Sequence, residues 1–121
     1  MKCGSLYMED GGLALTVMRT ETAWERMRGL LGSPAPGRGQ GLLIAPCNSV
    51  HTMGMQYKVD VVFINRLWRV VKVVHLLSPW RFTAAPAARF TLEMAGGEAG
   101  RLGFAAGGLV RWEEASCKNG Q

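Results

Sequence analysis

The stretch VDVVFINRLWRVVKVVH, residues 59–75, decides the fold. It holds two runs rich in β-branched residues, VDVVFIN and RVVKVVH, with Arg66, Leu67 and Trp68 between them. Branched side chains pack well on a pleated surface, and two such runs joined by a short polar break read as an antiparallel hairpin. Asp60 sits near the start of the first run. In a strand it shares a face with Val62 and Ile64, while Val59, Val61 and Phe63 share the other. Both faces are apolar, so Asp60 belongs inside the core or at its rim. A carboxylate there must be paired or hydrogen-bonded. The expected partners are Arg26 or Arg81, or backbone N–H groups of a bend at residues 49–52.

Working outward, LALTVMR (residues 13–19), GLLIA (41–45), RFTLEM (89–94) and LVRW (109–112) read as further short strands. TAWERMRGLLG (22–32) reads as a short helix. Thr22 and Glu25 have the spacing of a capping box, and Trp24, Met27, Leu30 and Leu31 form one apolar stripe. GSPAPGRGQ (32–40) is a loop by composition. LLSPWRFTAAPAA (76–88) is read as a loop with two prolines, and AGGEAGRLGFAAGG (95–108) as turn-rich with one helical turn. The sum is a mostly β (α+β) fold, a compact antiparallel barrel- or sandwich-like sheet with one short helix near the N-terminus. Residues 1–12 are expected to be a flexible lead-in, 13–112 a single globular domain and 113–121 a polar tail.

The composition agrees with one folded domain. The chain has 121 residues, 48% hydrophobic and 19% charged, with 16 glycines that call for many turns. Net charge is +5, and Asp60 is the only acid between Glu25 and Glu93. The basic middle makes an anionic partner plausible. Cys3, Cys47 and Cys117 are an odd, widely spaced set with no C-x-x-C pair. That excludes a zinc ribbon and argues against a secreted disulfide framework. Glu9 and Asp10 interrupt any signal-peptide run, and no window is long and apolar enough to span a membrane. A reduced, cytoplasmic setting is the expectation.

Taken together, WERMRGLLG, GLLIAPCNSVHTMGMQYKVDVVFIN, LLSPW and LEMAGG resemble, in order and spacing, a prokaryotic family known as domain of unknown function 192. The resemblance covers roughly residues 13–112 and implies a small, mostly β single domain with a short helix near its start. It implies no activity. The family's recurring positions fall on Arg26, Gly29, Leu30, Cys47, His51, Thr52, Met55, Asp60, Pro79, Trp80, Glu93 and Gly96. Two departures stand out. Leu67 and Trp68 replace the usual aspartate and glycine of the hairpin turn, and Gly107-Gly108 replaces a Gly-Asp pair.

Candidate chemistry centres on Cys47, His51 and Asp60. In an extended chain Cys47 and His51 would lie about 13 Å apart at roughly 3.3 Å per residue, too far to share a proton. Pro46, Asn48 and Ser49 make a bend credible, and a thiolate–imidazole enzyme with Asn48 or Asp60 as the orienting group is one alternative. Metal binding through Cys47, His51, His75 and Asp60 matches no common spacing, and neither a metal nor a cofactor is expected. A nucleic-acid surface at Arg66, Trp68 and Arg69 on the hairpin tip is a second alternative, without an accompanying motif. The leading expectation is an accessory binding module for a small anionic ligand or a protein segment, its pocket formed by His51, Thr52, Asp60, Trp80 and Arg81.

Overall fold

The computed structural model describes residues 1–115. Nine strands and two short helices follow in the order β1 (Lys2–Met8), β2 (Leu13–Arg19), α1 (Ala23–Arg28), β3 (Gln40–Ile44), β4 (Ser49–His51), β5 (Val59–Ile64), β6 (Val70–Leu77), β7 (Phe82–Ala84), β8 (Phe90–Ala95), α2 (Glu98–Leu102) and β9 (Val110–Ala115). Seven strands make one sheet in the order β6-β5-β8-β3-β2-β1-β9, and β4 and β7 form a separate ribbon. The fold is mostly β, as expected, but the large sheet is mixed and does not close. Among the described residues its only parallel pair is β2 with β3. Parallel neighbours need a crossover connection, and α1 with the loop at 29–39 is that crossover.

The central strands β3, β5 and β8 are buried on both faces. On one, Leu15, Leu43, Val62, Ile64, Leu92 and Met94 pack with Ala99 of α2. On the other, Leu42, Ile44, Val61 and Phe63 pack with Leu30, Val50 and Met55, which come from the α1 crossover and the β4 region. Double coverage is why every residue of β5 is buried. The outer strands of the sheet meet at one end only. There Val70 N–H donates to Gly108 O (2.8 Å), Gly107 N–H donates to Val70 O (2.8 Å) and Val110 N–H donates to Trp68 O (2.9 Å). A barrel is therefore a loose description.

The hairpin forms where expected, from β5 and β6. Its turn shows how Trp68 replaces glycine. Trp68 adopts φ 64°, a left-handed conformation that costs a non-glycine residue about 1–2 kcal/mol. Two contacts offset it. The Asn65 side chain accepts N–H bonds from Leu67 (2.9 Å) and Arg69 (3.0 Å), and the Trp68 ring stacks on Phe90 with centroids 3.9 Å apart.

Three expectations need correction. The frayed lead-in at 1–12 is instead β1, an inner strand hydrogen-bonded to β2 on one side and β9 on the other. Short runs such as KCGSLYM alternate too weakly to announce themselves, and pairing on both sides supplies what propensity lacks. Likewise β9 continues to Ala115, into the segment read as tail. Lastly, α1 has its capping box at Thr22 and Glu25, but none of its residues is buried. Trp24 is 69% and Met27 74% exposed, so the apolar stripe does not face the core, and Leu30, just past the helix, is the residue that enters it.

Candidate functional site

Strand β8 lies between β3 and β5, and Glu93 is paired across from Leu42 on one side and Val61 on the other. Partners directly opposite share a face, so Glu93 lies on the face covered by α1 and the ribbon. Its carboxyl group is buried under residues 29 and 30. A Cβ added to Gly29 would stand 3.4 Å from Glu93 Oε1. Gly29 itself has φ 52° and ψ −128°, a backbone state open to glycine, and this lets the crossover descend close to the acid. Burial pushes the Glu93 carboxyl up to about 7, against the opposing effect of a hydrogen bond from the Leu30 backbone. Among the described residues, Glu93 Oε1 has no hydrogen-bond partner.

Glu93 is among the residues that line a cavity of about 60 Å³. Leu30, Ile44, Val50 and Met55 give it an apolar wall, and Cys47 lies beside them. Arg26, Arg28, His51, Met27, Leu31 and Met53 are also in the lining. The Arg28 guanidinium donates to Ser33 Oγ (3.2 Å). Arg26 is half-buried, and among the described residues its guanidinium has neither a hydrogen-bond nor an ion-pair partner. One small space is thus lined by an acid with an unpartnered oxygen and by an arginine with no protein partner among the described residues.

Of the five residues expected to form the ligand pocket, only His51 lines this cavity. Asp60 lies on the opposite face of the sheet, fully buried. It does accept backbone hydrogen bonds, as expected, but neither an arginine nor the 49–52 bend supplies them. Oδ1 takes the N–H of Leu76 (2.8 Å), and Oδ2 takes those of Gly97 (2.9 Å) and Ala99 (2.8 Å). The first tie has a local cause. The β5–β6 register shifts between Val59 and Val61, and Leu76 there has φ 52°, which turns its N–H out of the ladder. The other two donors are free amides at the start of α2. Thr52 is also fully buried, and its hydroxyl donates to Ser78 O (2.6 Å) and accepts from Arg81 N–H (2.8 Å). It ties the 78–81 loop to β4. Trp80 and Arg81 stand on that loop, exposed, and Trp80 N–H donates to Thr52 O (3.0 Å).

Cys47 and His51 both border the Glu93 cavity, yet the thiol, a free cysteine, donates to Ser49 O at 3.1 Å, a carbonyl and not an imidazole. Among the described residues no three histidine, cysteine or acidic side chains converge as metal ligands. At the hairpin tip the ring of Trp68 is occupied by Phe90, and the Arg69 guanidinium donates to Gly107 O. Cys117 lies outside the described residues.

In sequence Glu93 does not stand out as a site residue, because RFTLEM alternates. Phe90, Leu92 and Met94 make one apolar face, so Thr91 and Glu93 read as the solvent side. Its one signal in the sequence was its place among the recurring positions. In space those positions sort into groups: Arg26, Gly29, Leu30, Cys47, His51 and Met55 gather with Glu93 at the cavity. Thr52 and Trp80 meet at the ribbon. Asp60 and Gly96 lie at the start of α2, where a Cβ on Gly96 would come within 2.8 Å of Leu76 Cδ2.

A protein of unknown function from Novosphingobium aromaticivorans superposes with a TM-score of 0.76, at 23% identity over 91% of this chain and 84% of that one. A Sinorhizobium meliloti protein described as a "putative transcription regulator" superposes with a TM-score of 0.78, at 18% identity over 92% of each chain. At such identities the likeness establishes the fold alone. No curated protein matches the chain. The family model described as "Uncharacterized ACR" matches residues 6–112. The chain therefore belongs to the domain of unknown function 192 family.

Proposed function

We propose that the chain is an accessory binding module for a small anionic ligand or for a protein segment that presents an anionic group, with its site at the Glu93 cavity and not around Asp60. One observation carries this: Glu93, whose Oε1 has no partner, and Arg26, whose guanidinium has none among the described residues, line the same small space. A buried polar group without a partner costs about 1–3 kcal/mol, and an occupant that satisfies both would recover part of that. With Arg26 and Arg28 in the lining, the occupant's charge is negative. The basic middle of the chain favours its approach.

The test is a titration of the protein with acetate, phosphate and short acidic peptides, followed by amide NMR shifts. The expected result is movement centred on Leu30, Val50, His51 and Glu93, weakened about tenfold in Arg26→Gln, the size of one lost charge-assisted hydrogen bond. Shifts centred on Trp80 and Arg81 would return the site to the ribbon loop, and no shifts with any anion would end the proposal.

A cysteine enzyme is the second reading, since Cys47 and His51 share the cavity. It requires fast alkylation of Cys47 near pH 7 that slows in His51→Ala. Nucleic-acid binding is not part of the proposal, because the Trp68 ring has no free face toward Phe90 and Arg69 is already engaged. No helix among the described residues is long and apolar enough to cross a membrane. A cytoplasmic location is carried as a proposal, to be checked by cell fractionation.

A further inference from the structure

We infer that the group the cavity takes is a carboxylate, held between the Arg26 guanidinium and a proton carried by Glu93, so that binding takes up a proton. This rests on the binding-module reading and names the ligand chemistry within it.

The geometry narrows the choice. A space of about 60 Å³ is the share of about two waters at roughly 30 Å³ each, a size that suits the three heavy atoms of a carboxylate head. Leu31, Met27 and Met53 line the same cavity and are exposed at 40%, 74% and 42%, leaving apolar surface for a hydrocarbon stem. A guanidinium matches a carboxylate with two parallel N–H bonds. An anionic oxygen placed against a second carboxylate would be repelled, so Glu93 must bring the hydrogen. Burial already favours its protonated form near neutrality. An amine would pair with ionised Glu93 instead, but Arg26 and Arg28 oppose a cation in the same lining.

The groups around Glu93 are few. Arg26 and Arg28 come from α1, Cys47 and His51 from the segment entering β4 and from β4 itself, and the Tyr57 phenol, which lies near enough to be influenced by Glu93's charge, from the loop ahead of β5. The bound state forms as ionised Glu93, one proton from solvent and the ligand carboxylate combine into an acid–carboxylate pair sharing one hydrogen. No other bond changes.

The probe is propionate, measured by isothermal titration calorimetry at pH 6, 7 and 8 in two buffers of different ionisation heat. Expected are uptake of close to one proton at pH 8, little at pH 6, and an affinity that falls about tenfold per pH unit above the Glu93 titration. Glu93→Gln, whose amide can donate in the same place, keeps binding while uptake and pH dependence vanish. Imidazoles in general change charge in this range, so His51→Gln is run alongside and should keep the uptake. Arg26→Gln weakens binding and leaves the uptake intact, which covers the case of a Glu93→Gln chain that fails to fold. Binding of propionate without uptake at pH 8, an undiminished pH dependence in Glu93→Gln, or preference for methylammonium would each overturn the inference while leaving a binding site in place. Silence toward every anion would instead defeat the binding-module reading itself. A second arm uses a short peptide with a free C-terminal carboxylate and the same peptide amidated. Binding of the free acid alone supports a protein terminus as source, propionate alone supports a small metabolite, and equal binding of the amide overturns the inference.

Discussion

Two acids lie on adjacent strands, on opposite faces of one sheet, and are almost equally buried, Asp60 at 0% and Glu93 at 4% exposure. Their surroundings differ in kind. Asp60 receives three backbone N–H groups from the β6 bulge and the start of α2. Glu93 has one oxygen with no donor at all among the described residues and a titration raised to about 7. The first acid completes a structure; the second is left incomplete by it. A buried acid is thus a poor guide to function until its donors are counted, since saturation marks a structural role and an unmet acceptor facing a space marks a candidate site.

The contrast can be broken most forcefully at Asp60. Replacing Asp60 with Ala removes the acceptor from three amides at once, and the expected loss is about 4 kcal/mol by urea unfolding. A loss under about 1 kcal/mol would mean that water reaches those amides and that Asp60 is not the tie described here.

Glu93→Gln should act in the opposite direction. The folded-state value near 7 lies above the ordinary 4.5, so the folded protein holds a proton that the unfolded chain has released. Below the ordinary value both states are protonated and there is no cost. Between the two values the cost grows with pH, reaching about 3 kcal/mol above pH 7. The variant should therefore match the parent near pH 4 and gain up to about 3 kcal/mol at pH 8, read from melting curves across pH. A gain that does not depend on pH would show that Glu93 is neutral, or ionised, in both states.

The smallest effect is expected on the exposed side chains of α1. Met27→Ser and Trp24→Ser should shift stability by no more than about 0.5 kcal/mol, because neither side chain is buried. A loss above about 2 kcal/mol at either position would restore the buried apolar stripe that periodicity implies for α1.

Much of the architecture was legible in the sequence. Branched runs marked β5 and β6, and the capping box marked the start of α1, because each depends on neighbours along the chain. What stayed hidden depends on partners far away. The role of β1 comes from pairing on both sides. The outward stripe of α1 follows from a crossover that uses Leu30 to reach the core. The pattern around Asp60 shows that it needs donors, but the donors lie 16 to 39 residues away and nothing local points to them. Glu93 was concealed by alternation, since a face that looks polar in one strand was covered by a ribbon whose position no single segment encodes.

The Asp60 carboxylate also bears on how the molecule opens. Helix α2 has five residues and no side-chain cap of its own, and an isolated helix of that length does not persist in water. Because Gly97 and Ala99 bond Oδ2 and Leu76 bonds Oδ1 of one side chain, an opening that displaces Asp60 releases the start of α2 and the β6 bulge together. The Gly97 and Ala99 amide hydrogens should therefore exchange with solvent more slowly than those of a free five-residue helix.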